Sequence, residues 1–307
     1  MSARGLSLMS GGLDSQLAVR VLERAGAEVE AVTFTSPFFK SREAERAAAA
    51  LGVKLHILDF TDDIVALIER PPHGFGGAMN PCIDCHARMI ARAGELMRSL
   101  GFDFVATGEV QGQRPMSQNR QSMQIVAKAA GLGGRLVRPL SARLLEPTLP
   151  ELSGQLDRER LLDLSGRARD RQIALAAEFG IVEYPSPAGG CWLTEAGFAK
   201  RLADLMTHEG LRRADGSVNR ELLELLATGR RFRLPGGSSV ILGRDAGENA
   251  RLRAATGTVI ADPSRPGPTA LVPVVKAEAD LELARGIVGA WSRGATGRER
   301  FRSYQIL

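Results

Sequence analysis

Short apolar runs alternate with helical patterns along the first half of the chain. Residues 6–9 read as a strand, followed by the turn Ser10-Gly11-Gly12 and a helix over 14–25. A second strand over 28–34, an alanine-rich helix over 41–51 and a third strand over 54–60 repeat the pattern. After a Pro/Gly-rich loop over 71–81 comes a helix over 83–100, in which Met89, Ala93, Leu96 and Leu100 recur at helical spacing and predict one buried face. A strand over 102–106 ends at Thr107-Gly108. Strands alternating with helices predict an α/β fold, a doubly wound and mostly parallel sheet.

The pattern then changes. Helices are expected over 157–179, 196–208, 220–227 and 279–292, and a Pro/Gly loop over 184–190 leads to Cys191. Residues 232–234 and 238–242, separated by Pro235-Gly236-Gly237, read as a hairpin. Further strands are expected at 259–260, 270–275 and 302–306. The division predicted is a larger domain over 1–194 and a smaller α+β domain over 195–307.

Of the 307 residues 44% are hydrophobic and 24% charged, the mix of a folded domain. No apolar run approaches the ~20 residues that cross a bilayer. The first twelve residues reach a polar glycine turn too soon for a signal-peptide core. A cytoplasmic protein without a membrane partner is therefore expected. The net charge of +5 is uneven. Residues 196–307 hold 18 Lys and Arg against 12 Asp and Glu, while residues 1–195 hold 22 against 23. A basic surplus in one domain fits a polyanion such as RNA, and equally a solvated arginine-rich surface.

Two sets of residues carry candidate chemistry. In Ser10-Gly11-Gly12-Leu13-Asp14-Ser15 the glycines let backbone approach a ligand closely, and the helix that follows offers free N–H groups to an anion. Asp14 could engage Mg²⁺. The pattern is neither Walker A nor the dinucleotide fingerprint. The second set is Cys82, Cys85 and Cys191, the only cysteines. Cys82 and Cys85 open a helix, where the dipole is expected to acidify a thiol. Buried core cysteines, a redox CxxC, zinc on the three cysteines with His86, an iron–sulfur cluster and a persulfide relay all remain open. Asp84 reads as a helix cap or an acid/base, and His56 and His73 carry no distinguishing spacing.

Ser-Gly-Gly-x-Asp-Ser after a first strand resembles the PP-loop of the ATP pyrophosphatase superfamily, whose members adenylate a substrate oxygen. The resemblance implies the adenine nucleotide α-hydrolase-like fold, ATP and Mg²⁺. It implies nucleotide contacts from Ser10, Gly11, Gly12, Asp14 and Ser15, with Phe34, Thr107 and Gly108 at the ends of later strands. Asn80-Pro81 leading to Cys85 is similar to the bacterial 2-thiouridylases, with Cys85 at their catalytic position, but Cys82 stands where they carry aspartate. The CxxC with one distant cysteine resembles members holding a [4Fe-4S] cluster on three cysteines. That implies Cys82, Cys85 and Cys191 as catalytic and metal-binding residues, with Asp14 completing the catalytic set. Gln113, Arg114, Ser117 and Gln118 could shape the site, and Arg138-Pro139-Leu140 resembles a segment of the same enzymes.

Gly243-Arg244-Asp245 through Leu252 is similar to the RNA-binding domain of the NFACT family, which implies RNA contacts from Arg230, Arg231, Arg233 and Arg244. The expectation is an ATP-dependent tRNA sulfurtransferase that makes thiouridine. It would act on tRNA with sulfide or a persulfide carrier as sulfur donor, and could form a homodimer. The rival readings are sulfur insertion or removal on a small molecule or cofactor, an amidating enzyme, and a non-catalytic RNA- or nucleotide-binding protein.

Overall fold

The computed structural model describes residues 2–114, 117–186 and 191–306. Two compact units divide between Cys191 and Trp192, near the expected boundary at 194. Residues 187–190, part of the expected Pro/Gly loop, lie outside the described residues.

The first unit runs β1 (Arg4–Leu8), α1 (Leu13–Arg24), β2 (Glu28–Thr35), α2 (Arg42–Leu51), β3 (Leu55–Asp59), α3 (Thr61–Glu69) and α4 (Cys82–Leu100). It continues through β4 (Phe104–Ala106), α5 (Arg120–Ala130), β5 (Leu136–Val137), α6 (Leu149–Leu152) and α7 (Asp170–Glu178). The strands form one parallel sheet in the order β3-β2-β1-β4-β5. Progression through the sheet reverses between β1 and β4, so the loops leaving their carboxyl ends diverge and open a crevice, the usual ligand position in such sheets. Leu17, Val21 and Leu22 of α1 join Ala31, Phe104 and Val137 in the core on one side. Gly5 is needed on β1 because a Cβ there would lie 2.2 Å from the Phe104 ring.

The structure corrects several element expectations. The buried stripe of α4 is Ala87, Ile90, Ala93, Gly94 and Met97, whereas Met89, Leu96 and Leu100 are only partly buried beside it. Small residues make this face because the neighbour packs close: a Cβ on Gly94 would stand 2.3 Å from Leu132. The helix expected over 157–179 is a single 3-10 turn at Arg158–Arg160 followed by α7. α3, α5 and β5 were not anticipated.

The second unit carries α8 (Ala196–His208), α9 (Arg220–Glu224), β6 (Arg230–Arg233), β7 (Ser239–Leu242), α10 (Ala246–Ala254), β8 (Thr258–Ile260), β9 (Ala270–Val272), α11 (Glu278–Trp291) and β10 (Gln305–Ile306). Its strands pair antiparallel in the order β10-β6-β7-β9-β8. The β6–β7 hairpin forms as expected, and its turn is fixed by buried Asp280 of α11, which accepts hydrogen bonds from the Gly236 and Ser238 amides at 3.0 Å. Ala284, Ile287 and Val288 of α11 pack against Phe232, Val240 and Val272. The last expected strand is largely a 3-10 run, Arg298–Tyr304, with only Gln305–Ile306 extended. Among the described residues no helix is long and apolar enough to cross a membrane.

Candidate functional site

The turn between β1 and α1 is held open by its own side chains. Ser15 Oγ donates to the Gly12 carbonyl at 2.8 Å, and Ser10 Oγ accepts from the Gly12 amide at 3.3 Å. Gly11 has φ +84°, and a Cβ there would meet the Glu43 backbone at 2.4 Å, so glycine is obligatory. Gly12 caps α1 without a side-chain oxygen, which leaves the first-turn N–H groups of the helix to an anion. The arrangement fits the phosphates of a nucleotide.

Asp14 projects from the first turn of α1. One carboxylate oxygen accepts from Gln113 Nε2 at 2.8 Å. The other, Oδ1, is buried with no hydrogen-bond partner. Arg169 Nη2 stands 3.9 Å from that oxygen, and Arg169 Nε is likewise buried without a partner. A carboxylate oxygen and a guanidinium N–H left unsatisfied side by side suit a cation and a phosphate respectively. Sequence reasoning missed Arg169; its only signal was the basic run Arg167-Ala168-Arg169-Asp170-Arg171.

Across the crevice, Gly108 packs on the same turn. A Cβ on Gly108 would fall 2.6 Å from the Asp14 carbonyl group and 2.7 Å from the Ser15 amide nitrogen. Thr107 donates to Glu109 Oε2 at 3.0 Å, and Arg138 Nε donates to the same oxygen at 2.8 Å. Glu109 is 6% and Arg138 7% exposed, so this is a buried ion pair. Burial alone would raise the Glu109 pKa, but the Arg138 guanidinium, with help from His86, drives it down to about 2. His86 Nδ1 lies 3.5 Å from the other Glu109 oxygen. Phe34, at the end of β2, is buried with its ring edge-on to Phe60 at 5.3 Å; its side chain serves packing.

Cys82 and Cys85 begin α4, and Cys82 Sγ accepts from Asn80 Nδ2 at 3.2 Å. None of the three cysteines is in a disulfide. The Cys85 pKa is pushed up, first by burial and then by Cys191, Cys82 and Asp84 beside it. This corrects the expected acidification: the helix dipole is worth about 0.3–1 kcal/mol, too little to offset burial among other thiols and a carboxylate. Asp84 neither caps the helix nor stands exposed. It accepts from His73 through the backbone amide at 3.0 Å and Nδ1 at 2.6 Å, anchoring the loop ahead of the cysteines. His56 pairs with Glu30 at 2.6 Å, away from this group.

Glu109, two residues beyond Thr107, lies 3.5 Å from His86, next to Cys85. Gln16 Nε2 donates to both the Gly11 and Glu183 carbonyls at 3.0 Å. Among the described residues no group of three or more His, Cys, Asp or Glu stands close enough together to hold a metal ion. Zinc on three cysteines and His86 therefore has no preformed site.

In the second unit, alternation along β6 separates three of the four candidate arginines. Arg230 shares a face with Phe232, toward α11. Arg231 and Arg233 share the opposite face with α8. Arg233 is clamped by Asp204 (2.5 Å) and Glu209 (2.6 Å), and these carboxylates hold its pKa up against the pull of burial. Arg231 is 3% exposed, and burial with Arg201 nearby lowers its pKa to about 10. Neither Arg231 nor Arg233 presents a surface to RNA, which corrects that expectation. Arg230 and Arg244 instead line an open basin.

Residues 1–142 match the family model of the thiamine biosynthesis protein (ThiI), and residues 229–301 match that of the NFACT protein RNA binding domain. A tRNA-specific 2-thiouridylase MnmA of Sulfurimonas denitrificans is 32% identical over 120 residues, covering 35% of this chain and 35% of the relative. A probable tRNA sulfurtransferase of Geobacillus thermodenitrificans is 29% identical over 165 residues, covering 51% of this chain and 39% of the relative. Among solved structures, a 4-thiouridine synthetase–RNA complex with bound ATP is 20% identical with a TM-score of 0.41, covering 58% of this chain and 41% of that one. The chain spans about a third to about half the length of the first curated relatives it matches. Residues 1–142 are thus similar to the ThiI family and residues 229–301 to the NFACT protein RNA binding domain.

Proposed function

We propose that the protein is an ATP-dependent tRNA sulfurtransferase that replaces a uridine carbonyl oxygen with sulfur. The observation that carries this reading is the meeting of the glycine turn and the start of α4 at the turn after β4, where Gly108 packs on Asp14 and Glu109 lies 3.5 Å from His86, next to Cys85. An enzyme that activates an oxygen with ATP and then delivers sulfur to the same carbon needs its nucleotide turn and its thiols at one edge of the sheet.

The residues divide the work. Ser10, Gly11, Gly12 and Ser15 receive the phosphates with backbone and hydroxyl donors. The free oxygen of Asp14 fits Mg²⁺, and Arg169 balances charge building on the departing pyrophosphate. The uridine oxygen attacks the α-phosphate, pyrophosphate leaves, and a sulfur nucleophile displaces AMP from the adenylated carbon. Thr107 and Gly108 set the depth of the crevice.

The donor chemistry of the thiols fits a [4Fe-4S] cluster better than a single ion. A cluster takes each thiolate on a separate iron, and Cys82 and Cys191 both lie near enough to Cys85 to raise its pKa. Cys82, Cys85 and Cys191 would hold it, and when bound it supplies an open iron for sulfide.

The test is anaerobic incubation with ATP, Mg²⁺, sulfide and bulk tRNA, with thiouridine read by nucleoside mass spectrometry and pyrophosphate release in parallel. Asp14→Ala should abolish pyrophosphate release and Cys85→Ala should abolish thiouridine while sparing release. Normal thiolation by either variant refutes the assigned roles. Iron analysis should give about four iron per chain. Thiolation by iron-free protein would refute the cluster and leave sulfide itself as the nucleophile at the adenylated carbon.

A further inference from the structure

We propose that the basin between β6, the start of α10 and the end of α11 captures one unpaired nucleotide of an RNA, its phosphate on Arg230 and Arg293 and its base against Trp291. This rests on the reading of the substrate as tRNA and names the element of it that this unit grips.

The basin measures about 420 Å³, within the usual range of small-ligand sites and enough for one nucleotide. Arg230, Arg244, Arg293 and Arg298 line it, against the single acid Asp245. Not all of that charge is available. Arg244 is neutralised by Glu248, with Nε 3.0 Å from the carboxylate. Asp245 is occupied as the α10 cap, accepting from the Glu248 amide at 2.9 Å. Arg298 Nε donates to the Ala290 carbonyl at 3.2 Å, and its guanidinium lies 5.8 Å from the Trp291 ring centre. Arg230 and Arg293 have no acidic side-chain partner among the described residues, so they are the guanidiniums left for an anion.

Trp291 gives the basin its aromatic wall. Its ring is braced by Phe232, edge-on at 5.4 Å, and by Phe301, tilted at 6.4 Å, so it is a fixed surface. The remaining walls are fixed too. A Cβ on Gly267 would lie 2.4 Å from buried Ser292 Oγ, and one on Gly243 would lie 2.1 Å from Asn249 Oδ1, which accepts from the Thr269 amide. A rigid aromatic beside two unpaired arginines is the pairing that holds a splayed base and its phosphate. In a duplex the bases are stacked away and only rim phosphates would reach the arginines, so the basin selects unpaired RNA.

The test uses the full chain with a fluorescein-labelled hexauridylate, a blunt RNA duplex of equal length, and free UMP, each titrated at several salt concentrations. The single strand should bind at least tenfold tighter than the duplex or UMP. Arg230→Ala/Arg293→Ala, with unchanged melting temperature, should weaken hexauridylate at least tenfold and flatten the log–log salt slope by about 0.7, for the one phosphate the pair neutralises. Arg285→Ala, which removes an exposed arginine of α11 paired with Glu282, should bind as wild type. In a Trp192→Phe background the hexauridylate should quench the remaining Trp291 emission. Equal binding of duplex and single strand, unchanged binding by the double variant, equal loss in Arg285→Ala, or no binding by wild type would each overturn the inference. Absence of thiolation with intact hexauridylate binding would sink the sulfurtransferase reading alone.

Discussion

The Glu109–Arg138 pair holds the turn after β4 in place, and removing its charge should show in both stability and nucleotide binding. The perturbation is Glu109→Gln, nearly isosteric. The drop of the Glu109 pKa from 4.5 to about 2 corresponds to on the order of 3 kcal/mol of folded-state preference for the charged form. Independently, breaking a buried pair and stranding Arg138, 7% exposed, costs about 3–5 kcal/mol. The two routes agree on about 3 kcal/mol. The assay is urea unfolding followed by hydrogen exchange of peptides covering 104–107 and 136–138. Trp192 and Trp291 both lie in the second unit, so tryptophan fluorescence is a reference that should stay put. Glu109→Gln/Arg138→Met, which removes the stranded charge as well, should regain more than half the loss. The pH sign is definite. A carboxyl with a depressed folded pKa stabilises above the unfolded value of about 4.5, and that contribution disappears as pH falls towards about 2. The gap between wild type and Glu109→Gln should therefore close over that interval. A loss under about 1 kcal/mol, a double variant no better than the single, or a gap that persists at pH 2 would refute the argument.

Three further outcomes follow from the geometry. Gly108→Ala drives a methyl to within 2.6 Å of the Asp14 carbonyl and should weaken ATP binding at least tenfold by calorimetry; wild-type affinity would show that the turn does not form part of the nucleotide crevice. In metal-free protein Cys85 should react with iodoacetamide at pH 7.5 more than tenfold slower than a free thiol, faster in Cys191→Ser and faster as pH rises, since only the thiolate attacks; a rate matching a free thiol would remove the case for a buried, crowded sulfur. Arg233→Ala strands the partly buried carboxylates of Asp204 and Glu209, so fluorescence-monitored unfolding should lose about 3 kcal/mol with RNA affinity unchanged within twofold; the reverse pattern would return Arg233 to the RNA surface.

The strand–glycine turn–helix unit was legible because three local signals coincide there: an apolar run, two glycines and a capped periodic segment. The placement of β1 beside β4 was not, because periodicity reports which face of a strand is buried and says nothing about its neighbour. That adjacency creates the crevice and brings Thr107 and Gly108 to Asp14. Glu109 and Arg138 look like surface residues in sequence, and only tertiary structure buries them together. The α4 face was misread because large apolar residues were followed while the close contact used alanine and glycine. For β6 the signal was present: in Arg-Arg-Phe-Arg, alternation already separates Arg230 and Phe232 from Arg231 and Arg233. Reading the run as one basic patch ignored the period of two. Arg169 was lost in the same way, as one arginine within a basic run.

The raised pKa of Cys85 bears on how the two halves of the reaction stay in order. A crowd of thiolates at the mouth of a nucleotide crevice would repel the polyphosphate and would be open to oxidation and alkylation. Burial and mutual proximity keep Cys85 a neutral thiol, so the crevice beside it presents Arg169 and the helix N–H groups to the anion without opposition from sulfur. Conversion of the thiols to thiolates requires a cationic partner that compensates the charge, which couples sulfur loading to proton release and makes it pH-dependent. The buried Glu109 carboxylate fits the same logic. Fully neutralised by Arg138, it positions His86 and Thr107 without adding net charge to the region where phosphate must sit. The carboxylate oxygen left without a hydrogen bond there is Oδ1 of Asp14, where a divalent cation would accompany ATP. The charge pattern of the crevice is thus that of a site prepared for the nucleotide first and for a charged sulfur only afterwards.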